Sequence, residues 1–388
     1  MGKATPVPIT PSVLKWAIRE SGYPEERVAE KIGVSLSDLR AWLSEDSRPT
    51  LTQFRRLAAL LKRTPATFLL PAPPEIEPLA VQFRHPPDAH RTVASPEERR
   101  YLREAARLQN VIKWLMDELG ETAPKLLEYS LTSDVEQVGQ SARQRLRPLL
   151  PSTLSEWQSH AQAFDAWRTA LEASGVLVFL FPLGKESARG FSLSDHAPLI
   201  AVNTAWNDAA RIFTLFHEYG HLLTRTSSIC LERTGPRVSK PTDRAERWCE
   251  EFAAALLLPW GPVSDLLRKR FGWHPGMEVD DLDVPRAIAN AFKVSWRAAT
   301  IRLIERGAAS WDLYAKIPPY TDQKRRGGAA GEGRDRGQIR EDQYGQRAVD
   351  LFVRALDRQV LGRGDVLDYL DVTDTALDRL QGTVVESD

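Results

Sequence analysis

The chain has 388 residues, 42% of them hydrophobic, with 52 Lys and Arg balancing 52 Asp and Glu. That length predicts two or three domains with real cores, and the zero net charge excludes a polyanion-binding protein as a whole, though not one local basic domain. Two cysteines, Cys230 and Cys249, make no disulfide framework. The N-terminal stretch has no signal-peptide core and no apolar run approaches about 18 residues, so the expectation is a cytoplasmic protein with no membrane partner.

In chain order, residues 11–70 read as four short helices. "SVLKWAIRESG" stops at Gly22, and "PEERVAEKIGV" stops at Gly33. Ser35 then reads as the N-cap of "LSDLRAWLSED". Helix, glycine turn, capped helix is the helix-turn-helix pattern. Residues 1–72 hold 11 Lys and Arg against 7 Asp and Glu. That local excess suits duplex DNA, so DNA is a possible partner, with docking on protein as the other reading. Ser35, Ser37 and Arg40, at and near the start of the third helix, are the candidate DNA contacts.

Residues 73–150 read as a proline-rich linker followed by a long helix capped by Ser95. Further helices are expected up to about residue 174. At 176 the period changes. "VLVFLF", "GFSLSD" and "PLIAVN" read as three short strands of a small sheet. A helix from about Asn207 to Arg225 follows, then "DRAERWCEEFAAALLLP", which Pro259 ends. "VPRAIANAFKVSWRAATIRLIERG" reads as helix, turn at Lys293 to Ser295, helix. Residues 321–343 are rich in glycine and charge, and read as a flexible linker. Residues 344–388 read as a small helical module, which packs or docks a partner rather than touching DNA.

The fold class expected is therefore multidomain: an all-α helix-turn-helix domain over 1–72, a central α+β domain over 151–320 with a small sheet, and a helical C-terminal tail.

The chemistry lies in "LFHEYGHLLTR", residues 215–225. His217 and His221 stand four apart, so a helix stacks both imidazoles on one face. Two such rings supply two corners of a zinc tetrahedron. Glu218, about 100° further round, is placed as the general base for the water that the metal activates. A catalytic zinc needs a third protein ligand. The carboxylate-rich helix that follows offers Glu246, Glu250 and Glu251, the last on another face, with Cys249 as a rival. Glu246 is the expected ligand, with Glu250 orienting a ligating histidine. An oxyanion donor could come from His196 or Tyr219.

"ARIFTLFHEYGHLLTR" with "ERWCEEFAAALLLP" beginning 25 residues after His221 resembles the ImmA/IrrE family of metallopeptidases. Glu246, Cys249, Phe252, Ala253, Leu256, Leu257 and Pro259 fit the family's second motif. Glu250 stands where asparagine is usual, and Leu258 where methionine is. The N-terminal segment is similar to phage-repressor helix-turn-helix domains. The resemblance implies that 151–320 is a zincin-like peptidase domain, a zinc endopeptidase that relieves repression by cleaving a repressor or a product of a neighbouring gene, in a stress, mobile-element or toxin–antitoxin-like setting. The rival reading is a non-proteolytic DNA-binding regulator, or an antitoxin-like protein, that retains the zinc site.

Overall fold

The computed structural model describes residues 6–75, 82–83, 94–150, 157–226, 228–230, 241–318 and 335–385. They form two compact units. The smaller holds the described residues through Glu104, and the larger those from Ala105 onward.

In the smaller unit, α1 (Pro11–Ser21), α2 (Glu25–Ile32), α3 (Leu36–Leu43) and α4 (Leu51–Leu61) appear where the periodicity places them. Val13, Leu14, Val28, Leu39 and Leu57, spaced to share helix faces, are fully buried and join Ile32 and Phe68 in one core. Gly33 ends α2 at φ 75°, a left-handed position that glycine takes without strain and that lets the chain reverse into α3. Ser35 caps α3 as expected, and Asp38 completes a capping box. A two-residue strand, β1 (Gln82–Phe83), and the start of α5 (Pro96–Leu119) complete this unit. Ser95 and Glu98 cap α5 reciprocally.

The larger unit is built on a small mixed sheet. β2 (Leu177–Phe181), β3 (Gly190–Leu193) and β4 (Leu199–Asn203) coincide with the three expected strands. A fourth, β5 (Ser228–Cys230), was not legible. Their order is β5-β3-β4-β2. β2 runs parallel to β4 (Leu177 opposite Leu199), while β3 is antiparallel to β4 and to β5. Every residue of β4 is buried. Val176, Val178, Ile200 and Val202 pack with α7 (His160–Ala173) and α8 (Asp208–Leu223) in one core. Phe179 meets Tyr344 with ring centroids 5.3 Å apart. Burial of both faces explains why β2 and β4 read as largely apolar runs, while β3 carries a buried Ser192. Gln109 of α5 donates to Leu193 O and Ala197 O, which pins the β3–β4 hairpin.

The remaining helices of this unit are α6 (Val135–Leu146), α9 (Pro241–Leu257), α10 (Trp260–Phe271), α11 (Asp283–Phe292), α12 (Trp296–Glu305) and α13 (Trp311–Ala315). Then come α14 (Arg336–Tyr344), α15 (Gln346–Asp357), α16 (Arg363–Leu370) and α17 (Asp374–Val385). The segment expected as a linker, 321–343, lies outside the described residues through 334. From Arg336 it is helix instead. Asp335 caps it, Arg336 and Arg340 pair with Asp371, and Tyr344 is buried. The C-terminal helices are part of the larger unit rather than a separate body. Glu172 of α7 accepts from Gln346 N and Arg347 N, so it caps α15 from another element, and Arg168 donates to Asp342 O. Among the described residues no helix is long and apolar enough to cross a membrane.

Candidate metal centre

α8 starts cleanly because Asn207 caps it, its side chain accepting from Ala210 N. From Thr214 to Leu223 every residue of this helix is buried. The sheet covers one side. β3 comes so close that a Cβ at Gly190 would lie 2.7 Å from Thr214 Cγ2 and 3.4 Å from Glu218 Cγ. The other side receives α9. There a Cβ at Gly220 would lie 3.1 Å from Cys249 Sγ and from Phe252 Cδ1. Two glycines thus admit neighbours from both sides, and the helix carrying the histidines is held between them.

That packing brings Glu246 of α9 over the two histidines. His217 Nε2 lies 3.4 Å from Glu246 Oε2, and His221 Nε2 lies 3.5 Å from Glu246 Oε1. The two ring nitrogens are 3.1 Å apart. Among the described residues these three form the one group of three or more with the spacing to hold a metal ion. Glu250 and Cys249, the rivals for the third position, are not in it. Cys249 instead packs on Gly220, fully buried. Burial pushes its thiol well above the ordinary range, and the charges of Glu246 and Glu218 push it further. It is a neutral filler of the α8–α9 contact.

Glu218 is fully buried beside this cluster. Burial alone would lower the affinity of His217 for a proton. The hydrogen bond and charge of Glu246, followed by the charges of Glu218 and Glu250, outweigh it and raise the pKa. A site this negative attracts a cation. The remaining ring nitrogen of His221 has a partner that the motif did not indicate: Nδ1 lies 2.9 Å from Thr226 Oγ1. The turn after α8 carried no signal for it, since position 225 is arginine where a glycine stop is usual.

The two oxyanion candidates are placed differently. Tyr219 meets Phe216 edge-on and Phe252 at a tilt, and burial pushes its hydroxyl up to about 12. His196 is exposed in the β3–β4 turn, with Nδ1 2.9 Å from Asp195 Oδ1.

In the smaller unit, the Ser35 hydroxyl accepts from Asp38 N and lies 2.8 Å from Ser37 Oγ. Arg40 is engaged: its Nε lies 3.0 Å from Glu25 Oε2 and its Nη2 3.7 Å from Glu26 Oε1. Of the three DNA candidates, Ser35 serves the cap, Arg40 is partly neutralised, and Ser37 is exposed beside them.

Comparison with known families places these features. Residues 171–303 match the IrrE N-terminal-like domain, a peptidase family, and residues 14–68 match a helix-turn-helix domain. The first span contains β2, β3, β4, α8 and α9 and with them His217, Glu218, His221 and Glu246. The second contains α2, α3 and α4. No curated protein matches the chain.

Proposed function

We propose that this chain, which joins a helix-turn-helix domain to an ImmA/IrrE-like peptidase domain, is a zinc-dependent endopeptidase that regulates transcription by cleaving a protein partner. The observation that carries the reading is the triangle of donor atoms. A tetrahedral zinc with bonds of about 2.0–2.1 Å requires ligand atoms about 3.3 Å apart. The three separations here are 3.1, 3.4 and 3.5 Å. Two imidazoles and one carboxylate are also a donor set that zinc favours in catalytic sites. His217, His221 and Glu246 would hold the ion.

Zinc bound there supplies a Lewis acid for a peptide carbonyl and for the attacking water. The rest of the work falls to this chain. Glu218, next to His217 and shielded from solvent, accepts the proton of the attacking water and delivers it to the leaving amine. Glu250 adds negative charge near His217, and Thr226 holds His221. The helix-turn-helix domain supports DNA binding, and its role is to bring the peptidase to a DNA-bound repressor or another product of its own operon. One observation favours a second reading, a regulator that keeps the metal without cutting: His217, His221 and Glu246 are at most 9% exposed, whereas a catalytic metal keeps an open position.

Glu218→Gln separates the two. Wild type and variant are each co-expressed with the neighbouring gene product, and zinc content and cleavage are measured. An endopeptidase gives zinc in both and cleavage only in wild type. Equal cleavage by the variant would remove Glu218 from the base role. Zinc in both with no cleavage by either would leave the regulator standing.

A further inference from the structure

The turn that ends α8 is built around its last histidine. Thr224 is the C-cap, and Arg225 follows at φ 54°, a left-handed position that a non-glycine residue occupies only at a cost. Arg225 N donates to Leu222 O at 3.3 Å, and Thr226 N donates to His221 O at 2.9 Å. These paired bonds are the Schellman arrangement, which folds the residue after the left-handed position back over the last turn of the helix. In most such turns an apolar contact accompanies the fold-back. Here the returning residue is Thr226, and it meets the ring of His221 with its hydroxyl.

The protons of this cluster can be assigned by counting, because a threonine hydroxyl has one proton to give. Thr224 gives its proton to Gly220 O at 2.9 Å, the usual back-bond to the carbonyl four residues earlier. Thr224 and Thr226 hydroxyls lie 2.8 Å apart, so Thr226 is the donor in that bond. Its proton thus spent, Thr226 can only accept from His221 Nδ1, 2.9 Å away. With Nδ1 carrying the proton, His221 Nε2 presents a lone pair. That nitrogen is the one 3.1 Å from His217 Nε2 and 3.5 Å from Glu246 Oε1.

We propose that Thr226, with Thr224 behind it, is a positioning residue: the two hydroxyls form a one-way hydrogen-bond relay from His221 Nδ1 to Gly220 O that fixes the ring and its tautomer for metal binding. The inference rests on the reading of the triad as a metal centre. It accounts for the strained Arg225, since the left-handed step is what returns Thr226 to the ring.

The test uses the full chain with Thr226→Val, which keeps the shape and loses the hydroxyl, and Thr226→Ser, which keeps the hydroxyl. Zinc is titrated against a competing chromophoric chelator. Losing the group that orients a ligand histidine weakens metal binding by roughly 10–100-fold. The valine variant should show that loss, and the serine variant should bind close to wild type. In parallel, nitrogen NMR of the metal-free, histidine-labelled protein should find the His221 proton on Nδ1 in wild type and Thr226→Ser, and displaced towards Nε2 in Thr226→Val. Equal zinc affinity in valine variant and wild type overturns the proposal. So does equal weakening in valine and serine variants, which would assign the effect to packing, or a wild-type His221 protonated on Nε2. Should wild type bind no zinc at all, the metal reading fails, while the NMR arm still decides whether the relay exists.

Discussion

Replacing Gly220 by alanine tests whether the close approach of α8 and α9 builds the site. The new Cβ would lie 3.1 Å from Cys249 Sγ, 3.1 Å from Phe252 Cδ1 and 3.2 Å from Cys249 Cβ. Ordinary carbon contacts are about 3.5–4.0 Å, so α9 must yield by a few tenths of an ångström. Two terms oppose each other. Removing a glycine from mid-helix favours folding by about 1 kcal/mol. Overpacking a dense contact costs about 1–3 kcal/mol. The balance is a destabilisation of about 1 kcal/mol. Cys249 stands three residues along α9 from Glu246, so the same displacement carries the carboxylate away from His217 and His221 and weakens zinc binding. Cys249→Ala removes the sulfur and leaves a small cavity. In the double variant the methyl added at position 220 moves into that space, and the combined cost should fall short of the sum by about 1 kcal/mol. The assay is urea denaturation of wild type, both single variants and the double variant, following the transition of the larger unit, with a zinc titration of each. Zinc affinity should fall in Gly220→Ala and recover in part in the double variant. Stability costs that add to within about 0.3 kcal/mol, or an unchanged zinc affinity in Gly220→Ala, would refute the reasoning.

Glu246→Ala should cut zinc affinity by more than about 100-fold, since a direct ligand counts for more than an orienting group, and Glu250→Ala should cost less than about tenfold; competitive chelation measures both, and the reverse order would reassign the third ligand. In the full chain, Arg40→Ala should weaken duplex binding and reduce the salt slope by about 1, as expected for one lost phosphate contact. Glu25→Gln should strengthen duplex binding, because it releases the Arg40 guanidinium held at 3.0 Å. Anisotropy titrations across a salt series read both, and no response to either change would place the DNA contact on another surface of the smaller unit.

What could be seen in the sequence follows from the distance over which each feature is decided. The histidine pair and Glu218 were legible because one helical turn sets their relation, and the flanking apolar residues announce the helix. The three strands were legible because both faces of the sheet are buried, which makes β2 an unbroken run of Val, Leu and Phe and keeps β3 and β4 largely apolar. The third member of the cluster was only half legible. Glu246 and Glu250 share a face of α9, and periodicity cannot separate them. The separation is made by where α9 crosses α8, which depends on Gly220 meeting Cys249 and Phe252. The helix at Arg336–Tyr344 was hidden for the same reason: "GRDRGQIREDQ" carries little apolar content, and its partners, Asp371 and Phe179, lie far away in the chain.

Arg40 shows a different limit. Counted alone it is a positive charge near the start of a reading helix. In the fold it pairs with Glu25 and Glu26, which the spacing of the sequence does not announce. Thr226 lay beyond reach in another way, although it is only five residues from His221. Helix stops are recognised in sequence by glycine, and Arg225 takes the left-handed position without one. The strain at Arg225 makes its own argument. A glycine there would relieve it, but would also free a turn whose fixed return sets the 2.9 Å contact of Thr226 with His221. Arginine occupies that position at a cost in backbone strain, which the hydrogen bonds of the turn and the contact of Thr226 with His221 offset.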